Sequence, residues 1–440
     1  MNILMVCYSY PPMPSPRAYR WGAISRELVR QGHHVDVVCG LTKEATAEDG
    51  LEPHVHGVGL SLWATPRRWA WAGRPQTSCD SQVAAMARGA GGPGMAGRIL
   101  RAWKRSLWDA WRWPDAQCHF IWPARRAVKR LLARTAYDVL VTVSFPFSDH
   151  LVGAYAKQMQ PALPWLVDVG DPFALVPEVN NAWLYARLNR RVERAVLQQA
   201  DHVTVTTGHL LTEYRRLGWD VSRMVVIPPL LSAPDFVVRV REPDGVVRLV
   251  YVGRLYDRIR SPARLLEVFS RLVARDAQPE KLELHFYGDS DGCERFFEPY
   301  RPLLNRHIFR HGQVPRSEAT RALREADVLV NIGNTTSFQL PSKLVDCVAT
   351  GKPIVHVSSH DHDSGWEWLA SYPSALLING GQDSSEAAAT SLAAFLARRP
   401  RVLPRETVSR FIAPYTLPAI VSQYLELLEC LARGRPRAAA

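Results

Sequence analysis

The chain has 440 residues, enough for two full hydrophobic cores. With 47% hydrophobic and 22% charged residues it is globular, which excludes a disordered chain. A formal charge of +12 asks for an acidic partner: nucleotide, nucleic acid or anionic membrane. The seven cysteines are scattered, with no Cys-x-x-Cys pair and no Cys/His spacing suited to zinc, so a reducing cytoplasm is the expected location.

The opening "NILMVCY" predicts a strand buried on both faces, and no basic leader of a secretory signal precedes it. "SYPPMPSP" is a stiff loop, "RAYRWGAISRELVRQG" an amphipathic helix ended by Gly32, and "HHVDVVCG" the next strand. This alternation predicts a parallel, doubly wound sheet. No G-x-G-x-x-G follows the first strand, so no dinucleotide cofactor is expected.

Over residues 61–115 the pattern breaks into a basic, Trp-rich insertion. On a helical wheel, Met95, Ile99, Leu100, Trp103, Leu107, Trp111 and Trp113 share one face. Arg98, Arg101, Arg105, Asp109 and Arg112 fall opposite. Such a helix reads either as a packed domain helix or as an interfacial anchor on anionic lipid. No apolar run reaches the ~18 residues of a spanning helix.

Strands resume at "AYDVLVTVSFPFSDH", "LPWLVDVGDPF", "ADHVTVTTGHL" and "RMVVIPPL", which makes residues 1–232 one α/β domain. Residues 233–246 read as a linker. A second α/β domain follows over 247–415, opened by "VRLVYVGRLYDRIRSPARLLEVFSRL", and 416–440 carry a last helix and a basic tail. Two Rossmann-like halves of this kind leave a cleft between them, the expected ligand site.

In "QLPSKLVDCVATGKPIV", Leu340, Leu344, Val345 and Val348 predict a short helix between Pro341 and Gly351, feeding a buried strand. From spacing alone, Asp346 on this helix reads first as a solvent-facing acid. The backbone amides of Leu340 and Ser342 at the helix start suit a diphosphate, with Lys343 adding charge. Arg254, Arg258 and Arg260 follow a buried strand, where guanidinium groups suit a pyrophosphate. "DSD" at Asp289–Asp291 has metal-motif spacing but sits in a Gly-flanked turn that reads as remote from this site, so no metal is assigned.

Taken in order, these stretches resemble retaining glycosyltransferases of the two-Rossmann GT-B fold, in the family-four group. "ILMVCYSYPPMPSPRAYRW" resembles the family's opening, and "VSFPFSDHLVG" and "PWLVDVGDPF" its acceptor-side loops. "YVGRLYDRIRSPARLLEVF" and "ADVLVNIGNTTSFQLPSKLVDCVATGKPIV" are similar to its donor-side signature. Two positions depart from the pattern: Phe338 stands where an acid is usual, with Gln339 the nearest polar substitute, and Gly170 stands where an arginine is usual.

The resemblance implies His150, Arg254 and Arg260 as catalytic. It implies Gly253, Gln339, Leu340, Pro341, Ser342, Lys343 and Asp346 as donor-binding, with Asp346 on the ribose hydroxyls. Arg17, Arg20, Asp168 and Asp171 are implied for the acceptor. It implies a nucleotide-sugar donor, a glycan or lipid-linked acceptor, and no cofactor or metal. Action in the cytoplasm at the inner membrane face, without nucleic acid, follows. Two alternatives stay open: a nucleotide-sugar epimerase on the same fold, and an inactive scaffold binding nucleotide or nucleic acid.

Overall fold

The computed structural model describes residues 1–13, 15–40, 52–59, 111–176, 182–231, 244–275, 281–290, 292–358, 360, 363–398 and 401–434. The chain forms two compact units. One is Met1–Pro228 together with the segment from Leu417 on; the other is Pro229–Thr416.

The first unit is built from β1 (Asn2–Val6), α1 (Pro16–Arg30), β2 (His34–Gly40), β3 (His54–Val58), α2 (Ile121–Leu132), β4 (Val139–Ser144), α3 (Ser148–Met159), β5 (Trp165–Val169), α4 (Ala182–Gln199), β6 (His202–Val205), α5 (Gly208–Arg216) and β7 (Met224–Val226). Its seven strands run parallel in the order β3-β2-β1-β4-β5-β6-β7. β1, β4 and β5 are mostly apolar and buried along nearly their whole length because helices cover both sheet faces. Helix α1 starts where Ser15 Oγ accepts from Ala18 N (3.0 Å), with Pro16 in its first turn.

The second unit comprises β8 (Val247–Val252), α6 (Ala263–Arg275), β9 (Leu282–Tyr287), α7 (Glu294–Phe297), β10 (Ile308–Gly312), α8 (Arg316–Glu325), β11 (Val328–Ile332), α9 (Ser342–Ala349), β12 (Ile354–Ser358), α10 (Ser364–Leu369), β13 (Ala375–Asn379), α11 (Ser385–Ala397) and α12 (Arg405–Ile412). Its six strands are parallel in the order β10-β9-β8-β11-β12-β13. Leu249 and Tyr251 of β8, Leu265, Phe269 and Leu272 of α6, and Val330 of β11 join one apolar core.

The last helix, α13 (Leu417–Ala432), belongs to the first unit, although it follows the second in sequence. Ile420, Val421, Tyr424, Leu427, Leu428 and Leu431 form its buried stripe, and Tyr424 meets Trp21 of α1 edge-on at 4.9 Å.

The anchor helix expected over residues 95–113 falls mostly outside the described residues. Its end, 111–113, is a turn rather than helix, because Pro114 follows and Trp113 Nε1 is bound to Asn189 Oδ1 of α4 at 3.0 Å. Among the described residues no helix is long and apolar enough to cross a membrane.

Candidate active site

In open parallel sheets, ligands bind beyond the carboxyl strand ends where the strand order reverses. In the second unit that point lies between β8 and β11. β8 runs out into Gly253 and Arg254, and Gly253 N donates to Tyr287 O of β9 at 2.8 Å. The two strand ends come so close that a Cβ on Gly288 would lie 2.1 Å from Gly253 O, so this approach requires glycine.

Arg254, drawn under the surface, pairs with Asp289 at 2.7 Å and lies over the Tyr256 ring at 5.4 Å. The next residues turn sharply: Tyr256 and Arg260 exchange two backbone hydrogen bonds (3.0 and 3.2 Å). That turn delivers the Arg260 guanidinium to Asn334 Oδ1, through Nε at 3.0 Å and a terminal nitrogen at 2.8 Å. Asn334 Nδ2 donates in turn to Gln339 Oε1 (3.2 Å), which also accepts from Thr336 Oγ1 (3.0 Å). Arg260 and Gln339 thus share one polar chain across the ends of β8 and β11. Arg258 contributes only its backbone carbonyl, to Thr335 Oγ1 at 3.1 Å.

Helix α9 starts at Ser342 after Pro341, without a side-chain cap, and exposes Lys343. Leu340 is partly buried against the core. Asp346 is only 3% exposed, which removes the solvent-facing reading. Phe338 is buried as well; an apolar residue at that position serves the packing of the loop.

Beneath this loop lies a polar network that the sequence reading missed. Asn331 Nδ2 meets His356 Nδ1 at 2.7 Å, and His356 Nε2 meets Asp363 at 3.1 Å. Asp363 also accepts from Ser358 Oγ (2.9 Å) and caps α10 by accepting from Trp366 N (2.6 Å). Burial pushes the Asp363 carboxyl up, but these donors, led by His356, outweigh it and hold the carboxyl below its usual range. The reading of Asp289 also needs correction: its turn is not remote, because β9 ends beside β8 and the carboxylate pairs with Arg254.

In the first unit the strand order reverses between β1 and β4. The loop after β4 leads into α3, whose first turn carries His150. Its Nδ1 lies 2.7 Å from Thr142 Oγ1, which itself accepts from Trp165 Nε1 (2.9 Å). Thr142 Oγ1 thus ties the imidazole to Trp165 and sets the orientation of the ring. Nε2 is buried and has no partner among the described residues. Burial lowers the His150 pKa to about 3, so the ring is neutral at neutral pH.

Asp115, also missed, anchors this turn: its carboxylate accepts from Ser148 N (2.8 Å) and Ser148 Oγ (2.7 Å). Asp149, fully buried, accepts from Tyr8 N at 2.8 Å and ties the turn to the end of β1. Glu193 of α4 accepts from Phe173 N (2.8 Å), Ala174 N (2.7 Å) and Tyr214 Oη (2.9 Å), fixing the loop after β5.

Two residues expected at the acceptor lie inside the unit. Arg20 reaches Pro228 O (2.5 Å), Ile227 O (3.3 Å) and Tyr424 Oη (3.1 Å), so it joins α1 to the end of β7 and to α13. Asp168 is buried, accepting from Trp21 Nε1 (2.8 Å), Thr204 Oγ1 (2.7 Å) and Tyr424 Oη (2.7 Å). Both are internal fasteners because α13 brings in Tyr424. Arg17 and Asp171, by contrast, form a partly exposed pair at 3.3 Å. A Cβ on residue 170 would lie 1.6 Å from Arg17 Cζ, so glycine there lets the Arg17 guanidinium lie across the loop.

Residues 18–229 match the family described as glycosyl transferase 4-like domain, and residues 247–396 match glycosyl transferases group 1. The chain belongs to the GT-B glycosyltransferases. A search of curated protein sequences found no match. Among solved structures, this glycosyltransferase is similar to sucrose-phosphate synthase from Thermosynechococcus elongatus, with a TM-score of 0.67, 16% identity, and 99% and 100% of the two chains covered. It is similar to HepE from Anabaena, solved with UDP-glucose, with a TM-score of 0.60, 14% identity, and 98% and 99% covered. The lipopolysaccharide outer-core galactosyltransferase WaaB aligns with a TM-score of 0.57, 12% identity, and 98% and 99% covered. The glycosyltransferase fold therefore runs through both units.

Proposed function

We propose that this glycosyltransferase takes a sugar from a nucleotide-sugar donor and passes it, with retention, to a hydroxyl of a lipid-linked glycan in cell-envelope or polysaccharide synthesis. The observation that carries the donor reading is the Arg254 and Arg260–Asn334–Gln339 constellation at the reversal point of the second sheet. In the reaction the bond from the anomeric carbon to the diphosphate oxygen breaks. The acceptor oxygen bonds to that carbon from the same face, and its proton passes to the departing phosphate.

Arg254 and Arg260, with the amides opening α9, stabilise the charge that develops on the diphosphate. These cations supply what a divalent metal would otherwise supply, so no metal is assigned to the transfer step. Asp346 accepts from the ribose hydroxyls, as the family resemblance implies. His150, held neutral by burial and oriented by Thr142, presents Nε2 to a sugar hydroxyl. Arg17 and Asp171 are assigned to the acceptor.

Peripheral contact with anionic lipid has its own support. Trp111 is 86% and Trp122 70% exposed, and Leu184 and Leu188 are exposed on α4. Exposed Arg187, Arg190 and Arg191 on α4 and Arg126 on α2 lie along the same two helices.

The purified protein, given a panel of nucleotide sugars and a bacterial lipid extract, should release nucleoside diphosphate from one donor. Arg254→Ala and Arg260→Ala should each slow that release on the order of 100-fold. Release that is indifferent to both substitutions would contradict the donor site.

A further inference from the structure

The amino ends of β2 and β3 carry a cluster unrelated to this chemistry. β2 and β3 pair in parallel with Asp36 opposite His54. Residues two apart on a strand share a face, so His34 joins Asp36, and His56 joins His54. His34 Nε2 lies 2.8 Å from Asp36 Oδ2, and His56 Nε2 lies 2.6 Å from Asp36 Oδ1. The His34 and His54 rings meet edge to face at 4.8 Å. One ligand atom from each of His34, Asp36 and His54 can be chosen so that all lie within 4.8 Å of one another. Tyr137 Oη donates to Asp36 Oδ2 at 2.7 Å, the outer hydrogen bond that ordinarily orients a ligating carboxylate.

We propose that His34, Asp36 and His54, with His56 as fourth ligand, form a binding site for a borderline divalent ion of the Zn2+ class. Imidazole and carboxylate donors suit that class. Zinc holds such atoms at about 2.0–2.2 Å, which places two ligands of a tetrahedral ion roughly 3.3 Å apart. The observed spacings bracket that value, and the histidines are accessible enough to rotate into it. An ionised Asp36 accepts hydrogen bonds only, so His34 and His56 hold it through their Nε2 protons. The metal takes the place of those protons, and its affinity falls as pH is lowered.

The cluster sits at the amino edge of the sheet, while the loops bearing His150 and Asp171 leave its carboxyl edge. The ion therefore takes no part in sugar transfer. It pins β3 to β2, the one strand that β3 pairs with among the described residues.

The test is isothermal titration of the chelator-treated full chain with Zn2+ at neutral pH, alongside His34→Ala, His54→Ala and the control His209→Ala. Wild type and control should bind one ion per chain, and each cluster substitution should weaken binding at least ten-fold. Co2+ should give a four-coordinate visible spectrum that the two cluster variants lose. Both substituted side chains are accessible, so far-UV circular dichroism should stay unchanged. No binding by wild type would overturn the site, as would equal affinity across all four proteins.

Discussion

The two units reverse their strand order in the same way yet use ionisable groups differently at that point. In the first unit, Asp115, Asp149 and Glu193 are buried and hold loops, and buried Asp168 fastens α1, β6 and α13 together. In the second, Arg254 and Arg260 sit at the strand ends, paired with Asp289 and Asn334 in hydrogen bonds that a diphosphate could replace. The same polar inventory therefore does scaffold work on one side and presents charge on the other. Substitutions should divide accordingly, into losses of stability in the first unit and losses of nucleotide affinity in the second.

The sharpest break of this contrast is Asp168→Ala. It strands three buried donors, on Trp21, Thr204 and Tyr424, and should cost about 3–5 kcal/mol in urea unfolding. A loss below about 1 kcal/mol would mean that α13 is not fastened there.

Glu193 gives the next effect, and it is one of pH. Burial raises its pKa from 4.5 to about 7, against the hydrogen bonds it accepts. A folded pKa above the unfolded one adds stability in full below pH 4.5, and that stability is lost as pH rises through 7. Glu193→Gln should shrink the stability difference between the two ends of that window by about 3 kcal/mol. An unchanged pH slope would place the titration elsewhere. Asp115 and Asp149, also raised by burial, slope the same way and remain in the variant.

Gly170→Ala is the smallest. Its methyl must displace the Arg17 guanidinium, a flexible group, so stability should fall by only about 1 kcal/mol. Turnover should drop while nucleotide affinity holds; a loss of nucleotide affinity instead would blur the division between the units.

Much of this was legible in the sequence. Buried parallel strands announce themselves as apolar runs such as Val139–Ser144, and the helix after Pro341 by its spacing and flanking residues. Arg254, Arg260 and Gln339 stand at strand ends, where an α/β sheet puts its ligands. What failed depended on distant partners. Asp168 and Arg20 look like edge residues until Tyr424, from the far end of the chain, fills the space beside them. The apolar stripe of α13 does not say which sheet it covers. Asp289 looked remote because only strand pairing brings the end of β9 beside Arg254. The His34–Asp36–His54 cluster has no short motif either, since its ligands come from two strands brought into register.

The donor site is tested most directly by melting the protein with UDP, GDP, ADP, TDP and CMP in turn, beside Arg254→Ala. A ligand at a hundred times its Kd stabilises by about 2.7 kcal/mol. One nucleoside diphosphate should raise the wild-type melting temperature. The same concentration should leave Arg254→Ala unmoved, with the unliganded variant melting close to wild type. A shift of equal size in both proteins, or none with any nucleotide, would contradict the assignment of Arg254 to the departing diphosphate.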